Sequence, residues 1–165
     1  RLGSIADIVN GFTPKRSEAQ FWNNGKVPWF TATDIRTQGR IINKTEQAIT
    51  LLAMGKRRVC PPDTVLICCT ASVGEAALAK IPLVTNQQFN SLVQSEKSEC
   101  RIVPQYLLLW SLTIKCQLVD TAGTTTIPFV SVAKLCKLLI PVPSTAEQYR
   151  IVELIRELMP LVTNR

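Results

Sequence analysis

A chain of 165 residues with 46% apolar side chains is long enough to bury its own core, since folding at this size removes roughly 68–70% of the unfolded chain's surface; a disordered segment is excluded. Nineteen Lys and Arg against twelve Asp and Glu leave a net charge of +7, which suits a polyanionic partner as well as it suits a merely basic surface. With no histidine, Ser-His-Asp and Cys-His nucleophile systems and the common zinc spacings are excluded, and no apolar run approaches the ~20 residues that span a bilayer.

Residues 2–9 read as a short helix or strand, stopping at Asn10-Gly11, a pair that tolerates positive φ and turns. Residues 12–26 follow as a polar loop with Phe21 and Trp22 in its middle, and residues 27–31 are apolar and β-branched enough for a strand. Thr33-Asp34 opens a second polar loop reaching Arg40. Residues 49–54 predict one or two helical turns, capped by Thr50 and released at Gly55. After the Pro61-Pro62-Asp63 turn, residues 64–70 form the clearest strand, apolar on both faces and therefore central in a sheet. A small-residue turn spans 71–74, and residues 81–84 lead into the polar Thr85-Asn86-Gln87-Gln88 stretch.

Pro104, favoured in a first helical turn, opens a helix carrying Trp110 in its apolar pattern and running to about Leu118. Gly123-Thr124-Thr125-Thr126 is a loop, and residues 130–140 mix strand and helix signals. Ser144 and Glu147 form a capping box that starts the last helix. Ile151, Leu154, Ile155, Leu158 and Val162 then share one face, and Pro160 should end or kink the helix near Met159. The only boundary suggested lies at Val142-Pro143, dividing a domain of residues 1–143 from a helical segment of 144–165. Six cysteines without a Cys-x-x-Cys pair, set among apolar residues, read as reduced core thiols of a cytoplasmic protein. The chain opens at Arg1 with no signal-peptide pattern, so a trimmed chain is the expectation.

No phosphate-binding glycine loop, dinucleotide fingerprint or Glu-x-Lys nuclease triplet is present, so no catalytic residue and no metal site are assigned. What remains are polar loops on an apolar scaffold. Lys15, Arg16 and Lys26 can neutralise phosphates, while Asn23, Asn24, Gln87, Gln88 and Asn90 carry the carboxamide that pairs bidentately with adenine. Trp22 can meet a sugar or base, whereas Trp29 and Trp110 read as core. Lys56-Arg57-Arg58 is either a phosphate clamp or a solvated run ahead of a strand.

Several segments, in this order, resemble the specificity subunits of type I restriction-modification systems. They are Leu2-Gly3 before Gly11-Phe12-Thr13-Pro14, Val27-Pro28-Trp29 before Thr33-Asp34-Ile35, Thr64-Val65-Leu66-Ile67, Ser72-Val73-Gly74, Asn86-Gln87 and Gly123-Thr124-Thr125. Ile140-Pro141-Val142-Pro143 followed by Glu147-Gln148-Tyr149-Arg150-Ile151-Val152 is the most specific match, similar to the family's junction between recognition domain and connecting helix. Asp63 departs from the glycine common at its turn, and Pro160 interrupts a helix that normally runs on.

The resemblance implies an α+β target recognition domain with a twisted, mostly antiparallel sheet flanked by helices, followed by the start of a connecting helix. It also implies sequence-specific binding of double-stranded DNA. Methyltransferase and restriction subunits would be the partners, carrying the S-adenosylmethionine, ATP and Mg²⁺, and the helix face could support self-association. Ser17, Thr33, Arg36, Ser72, Asn86, Thr124 and Thr125, polar positions of the same loops and motifs, complete the candidate DNA-contacting set. Two rivals differ in class: a DNA methyltransferase fragment, although no Asn-Pro-Pro-Tyr or Asp-Pro-Pro-Tyr motif is present, and an assembly module that does not read DNA.

Overall fold

The computed structural model describes the backbone of residues 1–122 and 129–163, and the side chains of residues 1–120 and 129–159. Five strands form the larger sheet: β1 (Ala6–Asn10), β3 (Ile41–Ile42), β5 (Thr64–Cys68), β6 (Ala76–Ala79) and β8 (Phe89–Gln94), in the order β1-β8-β5-β6-β3. Its pairs are antiparallel except β3 with β6. A second sheet, ordered β4-β2-β7, joins β2 (Val27–Phe30) antiparallel to β4 (Gln47–Ile49) and parallel to β7 (Val84–Thr85). The mostly antiparallel α+β expectation holds, with two sheets in place of one.

The double-sided apolar run of β5 puts it at the centre of the larger sheet. Val65 and Ile67 point into one cluster with Leu78, Leu92, Leu107, Trp110, Leu118 and Leu135, while Leu66 and Cys68 point into another with Phe30, Ile42, Leu83 and Phe89. Burying each of the larger side chains contributes about 1.5–3 kcal/mol. The first cluster is covered by α3 (Pro104–Thr113), α4 (Lys115–Ala122) and α5 (Val132–Lys137). The second joins the two sheets through the edge-on pair Phe30 and Phe89, with ring centroids 4.9 Å apart. Trp29 and Trp110 are core, as their spacing indicated.

Several local expectations are corrected. The predicted polar loop after Thr33 is a helix, α1 (Ala32–Gln38), whose start is a capping box between Thr31 and Asp34. Asp34 is wholly buried and also accepts from the Glu46 amide at 2.8 Å, so it ties α1 to the approach to β4. Strands β6 and β8 lie where no strand was read, because alanines and a polar-rich Phe-Asn-Ser-Leu-Val-Gln segment carry weak β signals. Gly11 serves close approach and not positive φ: a Cβ there would collide with the Asn86 carbonyl. The helix from Pro104 breaks at Ile114, and the ambiguous 130–140 segment holds α5, capped by Ser131. Cys100 and Cys116 are exposed and so are not core thiols; Cys60, Cys68 and Cys69 are buried, and all six are free.

Other expectations match. The helix α2 (Leu51–Met54) is capped by Thr50 and ends at Gly55, where φ is +55°. Asp63 takes the left-handed conformation, φ +62°, that a glycine would otherwise supply, and its carboxylate holds Lys80 at 2.6 Å.

Candidate nucleic-acid interface

Main-chain hydrogen bonds bring the ends of four strands to one edge. Gly11 and Phe12, leaving β1, donate to the carbonyls of Phe89 (3.0 Å) and Thr85 (2.8 Å); Asn86, leaving β7, donates to Phe30 at the end of β2 (2.9 Å). Cys69, leaving β5, donates to Gln88 at 2.8 Å, and Val130 donates to Cys69 at 2.9 Å. The loop of residues 12–18, the start of α1, the turn of 71–74 and the stretch of 86–88 are therefore neighbours at the carboxyl ends of β1, β2, β5 and β7. Residues far apart in sequence form one polar surface.

Much of that surface is held by its own side chains. The Arg16 guanidinium stacks on the Trp22 ring 3.9 Å from its centroid, lies 4.7 Å from that of Trp29, and donates to Gln47 Oε1 at 2.7 Å. The Trp22 indole N–H donates to the Lys15 carbonyl at 3.1 Å, so the ring read as able to meet a sugar or base also supports Arg16. Thr13 Oγ1 donates to Gln87 Oε1. Asn86 is nearly buried and grips Gln88 twice, through Nδ2 to Oε1 at 3.0 Å and from the Gln88 amide to Oδ1 at 3.1 Å. Asn86 thus supports Gln88, while Gln87 is exposed.

The remaining candidates divide. Lys15, Ser17, Asn23, Thr33, Arg36 and Ser72 are exposed; Arg36 and Ser72 line one recess with Glu75, whose carboxylate also holds Arg40 and Lys115, each at 3.4 Å. Lys26 donates its amide to Ile49 at the other end of β2, away from this edge. Asn90 is 3% exposed inside β8 beside Cys69, so it has no surface from which to reach a groove in this conformation. Its place in an unrecognised strand explains the misassignment. Arg57 lies over the Phe12 ring at 4.3 Å and Arg58 pairs with Asp7 at 3.6 Å, which divides the Lys56-Arg57-Arg58 run between packing and solvent. Thr124 and Thr125 lie outside the described residues.

A second polar cluster, centred on the buried Gln148, ties α6 (Thr145–Thr163) to the rest of the fold. Gln148 accepts from the Val103 amide at 2.8 Å and donates to the carbonyls of Arg101 and Pro143, both at 3.0 Å. Tyr106 Oη donates to Pro141 at 3.0 Å beside it. Ser144 Oγ caps the Glu147 amide at 3.3 Å, whereas the Glu147 carboxylate chelates Arg150 through two bonds of 2.7 Å. That pairing holds the Glu147 carboxyl below its ordinary range. Ile151 and Val152 pack on the domain, Ile155 is half-buried, and Leu154, Leu158 and Met159 stand exposed. The helix runs through Pro160 to Thr163, so this proline does not end it; the Val162 side chain lies outside the described ones.

The profile of the type I restriction modification DNA specificity domain matches residues 1–162. The chain belongs to that family. It is 30% identical over 170 residues to the type I restriction enzyme MjaIX specificity subunit of Methanocaldococcus jannaschii, covering 100% of this chain and 38% of that protein. It is 37% identical over 95 residues to the EcoprrI specificity subunit of Escherichia coli, covering 58% of this chain and 24% of that one. The crystal structure of the HsdS subunit from Thermoanaerobacter tengcongensis superposes with a TM-score of 0.76 at 22% identity, over 99% of this chain and 37% of that one. The chain thus spans well under half the length of these relatives.

Within this specificity-domain fold, the motifs that carried the resemblance have distinct physical roles. Gly11 lets β1 pass against the Asn86 backbone, Asp34 pins α1, Asn86 pins Gln88, and Gln148 pins α6. The sequence reading missed Gln47, which nothing in a single chain pattern marks, because its partnership with Arg16 spans 31 positions. The Thr31-x-x-Asp34 cap was legible and was overlooked.

Proposed function

We propose that this chain reads one part of a split double-stranded DNA target, as the specificity subunit, or part of one, of a type I restriction-modification system. The observation that carries the reading is the single edge where Arg16, Lys15, Thr33, Arg36, Ser72, Gln87 and Gln88 converge on the ends of four strands. Cations there neutralise phosphates and fix register, while carboxamide and guanidinium groups meet base edges. The net charge of +7 supplies the sequence-independent attraction. The relatives' names as specificity subunits support the same reading.

The chain contributes recognition, and methyltransferase and restriction subunits contribute the chemistry with S-adenosylmethionine, ATP and Mg²⁺. A DNA partner is consistent with a cytoplasmic location. The exposed Leu154, Leu158 and Met159 on a helix leaving the domain favour a covering helix, either from the second half of a longer chain or from a second copy.

Selection from a random duplex pool tests the reading. The chain should enrich one short half-site, and its affinity should fall with salt at a log–log slope of about −4 to −5 for roughly five phosphate contacts. Salt-independent binding, or no enrichment over the starting pool, overturns it.

A further inference from the structure

We propose that Arg16, held by Trp22 and Gln47, reads the major-groove edge of one guanine in the DNA target; the inference rests on the DNA-reading function above and assigns Arg16 to bases and not to phosphates. A phosphate accepts from a guanidinium in many orientations, so a phosphate contact does not require the fork to be held in place beforehand. The Arg16 fork is so held. Its guanidinium carbon lies over the Trp22 indole, 3.9 Å from the ring centroid, and 4.7 Å from the centroid of the Trp29 ring. One terminal nitrogen is committed to Gln47 Oε1 at 2.7 Å. The plane is therefore fixed on one side by a ring and along one edge by a carboxamide, and the other N–H groups of the fork remain to donate.

The rings themselves are fixed. Trp29 is 2% exposed and donates through Nε1 to the Phe12 carbonyl at 2.9 Å; Trp22 meets it edge-on at 5.1 Å and donates to the Lys15 carbonyl at 3.1 Å. Gln47 sits in β4 opposite Trp29, toward the carboxyl end of β2, so the group stands at the edge where the other candidate contacts gather. The surface beside it is an open recess lined by Arg16, Ser17, Ala19, Trp22, Asn23 and Gln47. Guanine O6 and N7 are two acceptors in one plane, and a guanidinium fork is their usual bidentate partner. Lys15, one residue away, shows the contrast: its ammonium stands largely in solvent and pairs with the Glu18 carboxylate at 3.0 Å.

The experiment uses the half-site enriched by the full chain. Replacing each guanine in turn by 7-deazaguanine, which lacks N7, should reduce wild-type affinity at one position on the order of tenfold, and Arg16→Lys should reduce affinity there ten- to a hundredfold while keeping the charge. In Arg16→Ala the 7-deazaguanine penalty at that position should vanish, and in Arg16→Lys, which keeps the charge, the salt slope should be unchanged. Gln47→Leu should weaken the same position by a smaller factor, since it loosens the fork without removing it. If Arg16→Ala leaves the guanine preference intact, weakens all duplexes alike and lowers the salt slope by about one, Arg16 is a phosphate contact; the inference then falls and the DNA-reading function stands. A wild-type chain that enriches no sequence overturns both.

Discussion

At the start of α6, Gln148 is wholly buried and spends its carboxamide on three backbone groups; at the loop edge, Gln87 is exposed and accepts from the Thr13 hydroxyl. The residue type is the same and the work is different. An amide sealed from water is costly to leave unpaired, at about 1–3 kcal/mol for each group without a partner. An amide facing water loses little when unpaired, so it stays available for a ligand. Burial therefore separates the polar residues that build this fold from those that can read DNA, and composition alone cannot make that separation.

The largest expected effect comes from breaking the buried side. Gln148→Leu leaves the Val103 amide and the Arg101 and Pro143 carbonyls without their partner, and the domain should lose about 2–4 kcal/mol in urea unfolding. The matched change Gln87→Ala should shift stability by no more than about 0.5 kcal/mol, while discrimination at one base falls by about 1–3 kcal/mol. Equal stability losses at the two positions would erase the distinction.

Next comes pH, which again acts on the buried side. Burial pushes the Cys69 thiol up to about 11, and also raises the Cys60 and Cys68 thiols. A raised thiol pKa means that the folded chain holds its proton more tightly than the unfolded chain does. Stability from Cys69 is intact below pH 9 and is lost as pH rises through 11, accounting for about 2–3 kcal/mol. Unfolding midpoints measured from pH 8 to 11 should decline, and Cys69→Ala should flatten that decline. An identical pH profile in the variant would mean that the thiol does not drive it.

The same contrast explains what could be read from the sequence. Strand β5 was legible because its apolar run needs no partner to be recognised, and the α6 junction because cap, proline and apolar spacing are local signals. Strand β8 was not, since its Asn90 and Ser91 are polar yet buried, a burial set by β5 and β1 on either side. That error placed Asn90 among the DNA-contacting residues. The support that Trp22 gives Arg16 was not legible, because it is tertiary. Where long-range pairing decides burial, residue type misleads; where local chemistry decides it, the sequence suffices.

The smallest effect lies wholly on the exposed side. Lys15 pairs with Glu18 at 3.0 Å with 71% of its side chain in solvent, and a surface pair of this kind contributes about 0–1 kcal/mol. Losing it should not register in unfolding. In DNA binding, however, Glu18 competes with phosphate for the same ammonium, so the two partners should act in opposite directions. Lys15→Ala should weaken binding to every duplex alike and make the salt slope shallower by about 0.9, the yield of one phosphate contact. Glu18→Gln releases the lysine and removes a negative charge from the edge, so it should tighten binding to all sequences without altering the preferred bases. Affinities at 50 and 200 mM salt for a preferred and a scrambled duplex distinguish these outcomes. A Lys15→Ala loss confined to the preferred duplex would make Lys15 a reader, and the division between positioning and reading along this loop would have to be redrawn.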